Sequence, residues 1–141
     1  MKAAVLCGIV ILMCYGCGDS DSPRAVQKKR AEVGRMMKAH YHSKYEFEVR
    51  GPLTLVEFQE ELRESYEEAF ELRENVYGQT DKSADSAVGR KYARIKGLSR
   101  EGDELYFFTS ELQSWAELAG IDGYVLVRKN EIVDMMVRRI N

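Results

Sequence analysis

The sequence predicts an α+β domain in which a long amphipathic helix packs on an antiparallel sheet of about four to five strands, with a basic N-terminal helix in front. Three observations predict it. A stretch opening at Thr54 carries apolar residues at helical spacing, several short segments from Tyr45 onward alternate or run apolar as strands do, and no motif recurs at a fixed period as in a solenoid or propeller. The 141 residues are 45% apolar and 31% charged, with only two prolines, a composition that folds as one domain and not as a low-complexity tract.

The first segment is a targeting element and not part of that fold. Met1 and Lys2 give a charged start, Ala3 to Met13 is an uncharged apolar run, and Gly16-Cys17 comes just before polarity rises over Gly18 to Pro23. A positive start, a short apolar stretch and small residues at a cut site describe a secretory signal. The apolar run falls short of the ~20 residues a membrane span requires. Cys7 and Cys14 lie in the part that would be removed, so an exported chain keeps Cys17 alone and has no internal disulfide to form.

Gly16 and Cys17 at the end of this run resemble the bacterial lipoprotein signal. The resemblance implies a diacylglyceryl group on the sulfur of Cys17, which then becomes the mature N-terminus. It also implies a location in the cell envelope, anchored by lipid to the periplasmic face of the inner or outer membrane where two membranes exist. Each buried methylene adds about 0.8 kcal/mol of membrane affinity, so two or three acyl chains retain a protein that one chain would release. The expected organisation is therefore a signal peptide over 1–16, a lipidated tether with a basic helical segment over 17–44, and a single α+β domain over 45–141.

Within the mature chain, Arg24 to Ala39 favours a helix, although Gly34 and the many cations weaken its apolar stripe. Tyr45, Phe47 and Val49 alternate with Glu46, Glu48 and Arg50, the pattern of a strand with one wet face, and Gly51-Pro52 should end it. Thr54 with Glu57 forms a capping box, and Leu55, Phe58, Leu62, Tyr66, Ala69 and Phe70 then line one side of a helix reaching Asn75 to Gly78. Residues 77–90 read as a loop, and loops that long are usually functional. Lys91 to Lys96 and Glu104 to Thr109 read as strands joined by a turn over Ser99 to Asp103. Ser110 with Gln113 suggests a second capping box for a short helix that Gly120 closes. Tyr124 to Lys129 and Ile132 to Arg139 form a hairpin around Asn130. Tyr124, Leu126, Val133, Met135 and Val137 are expected on the core face, and Val125, Val127, Ile132 and Met136 make the other face apolar as well.

The net charge of −2 conceals two opposed blocks. Arg24, Lys28, Lys29, Arg30, Arg35, Lys38 and Lys44 face a single acid, Glu32, while eight glutamates from Glu57 to Glu74 face only Arg63 and Arg73. Arg24–Lys44 could therefore contact anionic lipid, or be drawn to the acidic helix of the same molecule. Nucleic acid is not expected as a partner, because an exported chain leaves the cytosol and no basic-aromatic binding motif is present.

Catalytic and cofactor motifs are not evident. His40 and His42 would need further ligands for zinc, so no metal site is expected. None of Ser83, Ser86, Ser99, Ser110 and Ser114 sits in the glycine-flanked turn of a hydrolase nucleophile. The carboxylates of 57–74 read as a solvated helix face and not as an acid–base pair. Gly102 to Asn141, with Glu104-Leu105-Tyr106-Phe107 and Gly123-Tyr124-Val125-Leu126-Val127-Arg128, resembles a C-terminal segment of uncharacterised small bacterial proteins and implies no activity. The functional expectation is a non-enzymatic envelope module that binds another envelope protein through the second sheet face or the 77–90 segment. The alternative is a small-ligand carrier or enzyme with a cavity between helix and sheet.

Overall fold

The computed structural model describes residues 22–77 and 84–141, with side chains over 22–67 and 89–141. In chain order the elements are α1 (Pro23–His40), β1 (Phe47–Leu53), α2 (Leu55–Tyr77), α3 (Ala84–Leu98), β2 (Glu104–Ser110), α4 (Leu112–Ala116), β3 (Ile121–Arg128) and β4 (Glu131–Ile140). The strands form one antiparallel sheet in the order β1-β2-β3-β4. This is the α+β arrangement read from the sequence, with four strands.

Helices cover both faces of the sheet, and two cores result. On one face Val33 and Met37 of α1 pack against Phe47, Tyr106, Phe108, Val125 and Val127. On the other Phe58 and Leu62 of α2 and Ile95 of α3 pack against Leu105, Tyr124, Leu126 and Met136. Alternate residues of β2 and β3 thus enter different cores, which is why these strands are apolar on both faces. The core crosses the 44/45 boundary, so α1 belongs to the folded unit that the sequence placed at 45–141.

Gly34 is the reason α1 lies so close. A Cβ there would sit 3.0 Å from the Phe47 carbonyl oxygen, so the residue that weakens the helix on paper permits its contact with β1. Ser22 caps α1 by accepting from the Ala25 amide at 3.2 Å, and Pro23 occupies the first turn, where its missing N–H leaves nothing unsatisfied.

The capping box at α2 forms as expected. The Thr54 amide donates to Glu57 Oε2 at 2.7 Å, and the Glu57 amide donates to Thr54 Oγ1 at 3.2 Å. Leu55, Phe58, Leu62 and Tyr66 face the core, whereas Ala69 and Phe70 lie outside the described side chains.

Several expectations are corrected. Residues 91–96 are helical, within α3, and not a strand: Tyr92 and Ile95 are three apart and both reach the α2 core, a spacing that only a helix can place on one side. Of residues 77–90, expected as loop, Tyr77 ends α2, 84–90 belong to α3, and 78–83 lie outside the described residues. The Ser99–Asp103 turn therefore links a helix to β2 instead of closing a hairpin. β1 continues through Gly51-Pro52 to Leu53.

Ser110 does not cap α4. It is the last residue of β2, paired with Phe47, and its hydroxyl accepts from the Ile121 amide at 2.9 Å and from the Ser114 hydroxyl at 2.6 Å. Gly120 does not close α4 either. Leu118 takes the left-handed conformation, with φ of 56°, and the Ala119 amide reaches back to the Ser114 carbonyl at 2.8 Å in a Schellman closure. Gly120 is instead where the Trp115 ring lies against the backbone, in the space a Cβ would fill.

The last hairpin turns on Lys129 and Asn130, both at positive φ, as a two-residue connection between twisted strands requires. Met135 joins the α1 core and Met136 the α2 core, the reverse of the expected assignment. The cause is a register shift in β4. Val127 pairs with Ile132 but Leu126 pairs with Asp134, leaving Val133 unopposed and inverting the alternation beyond it.

Candidate functional site

The two ends of the sheet differ in character. At one end β1 finishes at Leu53 opposite Leu105, and Glu104 pairs with Val127. The N-terminal half of α1 lies over this end, with Lys29 Nζ 2.5 Å from Glu104 Oε1 and Arg30 Nε donating to the Gly51 carbonyl at 2.6 Å. Arg128 closes the same end with a two-bond fork on Asp103, both at 2.7 Å, which pulls the Asp103 carboxyl down to about 2. The chain enters here. Cys17, the expected lipidation residue, lies just upstream and outside the described residues.

At the far end Phe47 pairs with Ser110 and Ile121 with Ile140. A groove of about 270 Å³ opens there, with Tyr41, Phe47, Ile121 and Ile140 on its apolar walls and Lys44 and Asn141 at its edge. Glu117 braces its rim by accepting from the Tyr45 hydroxyl, from Gln113 Nε2 at 2.8 Å and from Lys44 Nζ at 3.0 Å. These bonds, the tyrosine's first, hold the Glu117 carboxyl down to about 2. Around this end Leu112, Leu118 and Ile140 are 84%, 73% and 75% exposed, three large apolar side chains left in water on one part of the surface.

A second opening of about 180 Å³ lies between α2 and β4, lined by Ser65, Tyr66, Arg138 and Arg139. Its origin is another register shift. Asp122 pairs with Arg139 but Gly123 pairs with Val137, so Arg138 is the extra residue and both guanidinium groups reach Asp122. Arg138 Nε and Nη2 each donate at 2.9 Å, and Arg139 Nε donates at 2.7 Å. Burial pushes the Asp122 carboxyl up, but the two arginines outweigh it and leave it below its ordinary range.

The cluster extends inward. Arg50 pairs with Glu61 at 2.5 Å, the Tyr124 hydroxyl donates to Glu61 Oε2 at 3.1 Å, and the guanidinium groups of Arg50 and Arg138 lie 5.0 and 5.1 Å from the Phe107 ring centre. Burial, and then the Glu61 charge, raise the Tyr124 hydroxyl above its ordinary range. A buried phenol held this way is a structural donor and not an acid at neutral pH.

The residues singled out from sequence are scattered. His40 ends α1 and His42 adopts a left-handed turn with φ of 48°, so the extended pair that would aim both rings one way is absent. Among the described residues no group of three or more His, Cys, Asp or Glu is placed to hold a metal ion. Ser99 donates to the Ile95 carbonyl, Ser110 and Ser114 bond each other, and the side chains of Ser83 and Ser86 lie outside the described residues. Glu57 is spent in the α2 cap and Glu61 on Arg50, while Glu60, Glu64 and Glu67 are exposed.

Val125, Val127 and Met136, which make the second face of the last hairpin apolar in the sequence, are all buried, and so is Phe108. The Asp122–Arg138–Arg139 cluster was not singled out from sequence. Its one sequence signal is a lone acid in the apolar run 121–127, matched by adjacent arginines in the next strand. Among the described residues no helix is long and apolar enough to cross a membrane. The chain matches no family model, no curated protein and no solved structure.

Proposed function

We propose that the chain is an exported lipoprotein, held in the cell envelope by lipid on Cys17, whose folded part binds another envelope protein through the far end of its sheet. The observation that carries the contact is Leu118. It holds the left-handed conformation that glycine adopts without strain, yet its side chain is 73% exposed and gains little from burial. A strained apolar side chain in water, with Leu112 and Ile140 at the same end of the sheet and Ile140 lining the groove there, fits a surface kept for a partner. The second sheet face is no longer the contact, because α1 covers it.

Leu118→Gly tests the reading. Relief of the backbone strain should raise stability by about 1 kcal/mol, or about 4 °C in Tm. In-cell photo-crosslinking from position 112 should meanwhile lose its partner band. A Leu118→Gly protein that is more stable and still crosslinks equally well would refute the contact.

The carrier reading draws on the opening between α2 and β4, whose arginines suit a small oxyanion. Asp122 already takes up both guanidinium groups, and the volume of about 180 Å³ lies below the ~300 Å³ at which small-molecule pockets begin. The partner-binding reading is the better supported.

A further inference from the structure

α1 and α2 lie on opposite faces of the sheet, so among the described residues the basic block does not meet the acidic block of the same molecule. Lys29 pairs with Glu104 and Lys38 with Glu46, but Arg24, Lys28 and Arg35 are exposed and make no ion pair among the described residues. These three are not scattered. Positions 24, 28, 31 and 35 are spaced by four, three and four, which places Arg24, Lys28, Ala31 and Arg35 along one stripe of the helix. The buried Val33, Gly34 and Met37 belong to the opposite side. The stripe therefore points directly away from the sheet.

We infer that this stripe is a docking surface for anionic phospholipid headgroups, laying α1 flat on the bilayer. The inference takes the lipid anchor at Cys17 from the functional reading, but the stripe stands on the fold alone. Four residues, 18–21, separate Cys17 from the Ser22 cap, and a chain of that length spans at most about 18 Å. The anchor thus holds the first turn of α1 close to the surface. Arg24 and Arg35 are about 16 Å apart along the axis, so a helix standing upright on its first turn would leave Arg35 beyond the ~8 Å screening length of the headgroups. Lying flat brings all three there.

Charge complementarity acts from both sides. The acidic face of α2, with Glu60, Glu64 and Glu67 exposed, lies across the sheet and is repelled by the same surface. The α2 side also carries Arg90, Lys91, Arg94 and Lys96 of α3, which offset part of its acidity, so the larger excess of positive charge is on the α1 side, and an anionic bilayer orients the molecule by it. In that orientation Leu112, Leu118 and Ile140 are presented sideways along the membrane, toward a partner that is itself at the surface.

The test uses the full chain, purified with its native processing and reconstituted into vesicles of phosphatidylcholine alone or with phosphatidylglycerol. A spin label at Ala31→Cys reads the stripe, and one at Val56→Cys, exposed on α2, serves as control. In phosphatidylglycerol vesicles the label at 31 should lose at least ~5-fold of its collisions with a water-soluble relaxation agent, and 0.5 M salt should restore them. The label at 56 should not change.

Arg24→Gln, Lys28→Gln and Arg35→Gln together should abolish the protection, while Arg24→Lys with Arg35→Lys should keep it. Because all three side chains are exposed, the melting temperature should stay unchanged and confirm that folding is intact. Equal accessibility at position 31 in the two lipids, or protection that survives the triple glutamine variant, would overturn the inference. Flotation with pure phosphatidylcholine vesicles separately reads the anchor. A chain that fails to float there but binds phosphatidylglycerol in a salt-dependent way loses the anchor and keeps the stripe.

Discussion

Asp122 is a fully buried carboxylate with Arg138 and Arg139 both on it, and Arg138 also approaches Ser65 of α2 at 3.4 Å. Removing one member of such a buried set leaves its partners charged and uncompensated. Asp122→Asn should therefore cost about 3 kcal/mol in a denaturant melt, with most of it through Arg138, because Arg139 is 63% exposed and screened by water. Asp103 and Glu117 act in the same direction with pH. Their folded-state pKa values lie at about 2, below the ordinary 3.8 and 4.5, so their contribution is complete above those ordinary values and is lost as pH falls through them toward 2. Thermal melts should be level from about pH 7 to 5 and fall steeply below about pH 4.5, and Asp103→Asn should make that fall shallower. Leu118 and Gly120 show the limit of residue-level reading. Glycine was the expected left-handed residue, but the ring of Trp115, five residues earlier, claimed the glycine for close approach and left the strained position to leucine.

At the scale of elements, α2 was the most legible because its signals are local. Thr54 and Glu57 satisfy each other three residues apart, and the stripe from Leu55 to Tyr66 needs no knowledge of what it covers. Thr54→Ala removes the hydroxyl that accepts from Glu57, and should lower stability by about 1 kcal/mol in chemical denaturation. α3 was misread because six residues of it resemble a strand when taken alone, and only the helix it packs against gives Tyr92 and Ile95 a common side. α1 was legible as a helix but not as core. Its apolar residues are few, and a glycine that permits contact looks the same in sequence as one that breaks a helix. β4 carries two register shifts that no alternation pattern announces, and they decide both which methionine enters which core and why two adjacent arginines share one aspartate.

For the whole molecule, the two-sided cover of the sheet has a direct consequence. A chain beginning at residue 45 would expose Tyr106, Phe108, Val125 and Val127, all now at most 4% accessible under α1. Such a truncation should be aggregated or molten by size-exclusion chromatography and near-ultraviolet circular dichroism, whereas one beginning at residue 22 should be monomeric and cooperative. By itself, the sequence determined the fold class, the capped helix, most strand positions and the division of charge into two blocks, because periodicity, capping and composition act over a few neighbouring residues. Which block faces which side, what covers the second sheet face, and which apolar side chains remain in water were decided only by the tertiary structure. Those depend on register and on close approach between segments far apart in the chain, where a single unopposed residue turns a side chain from one core to the other.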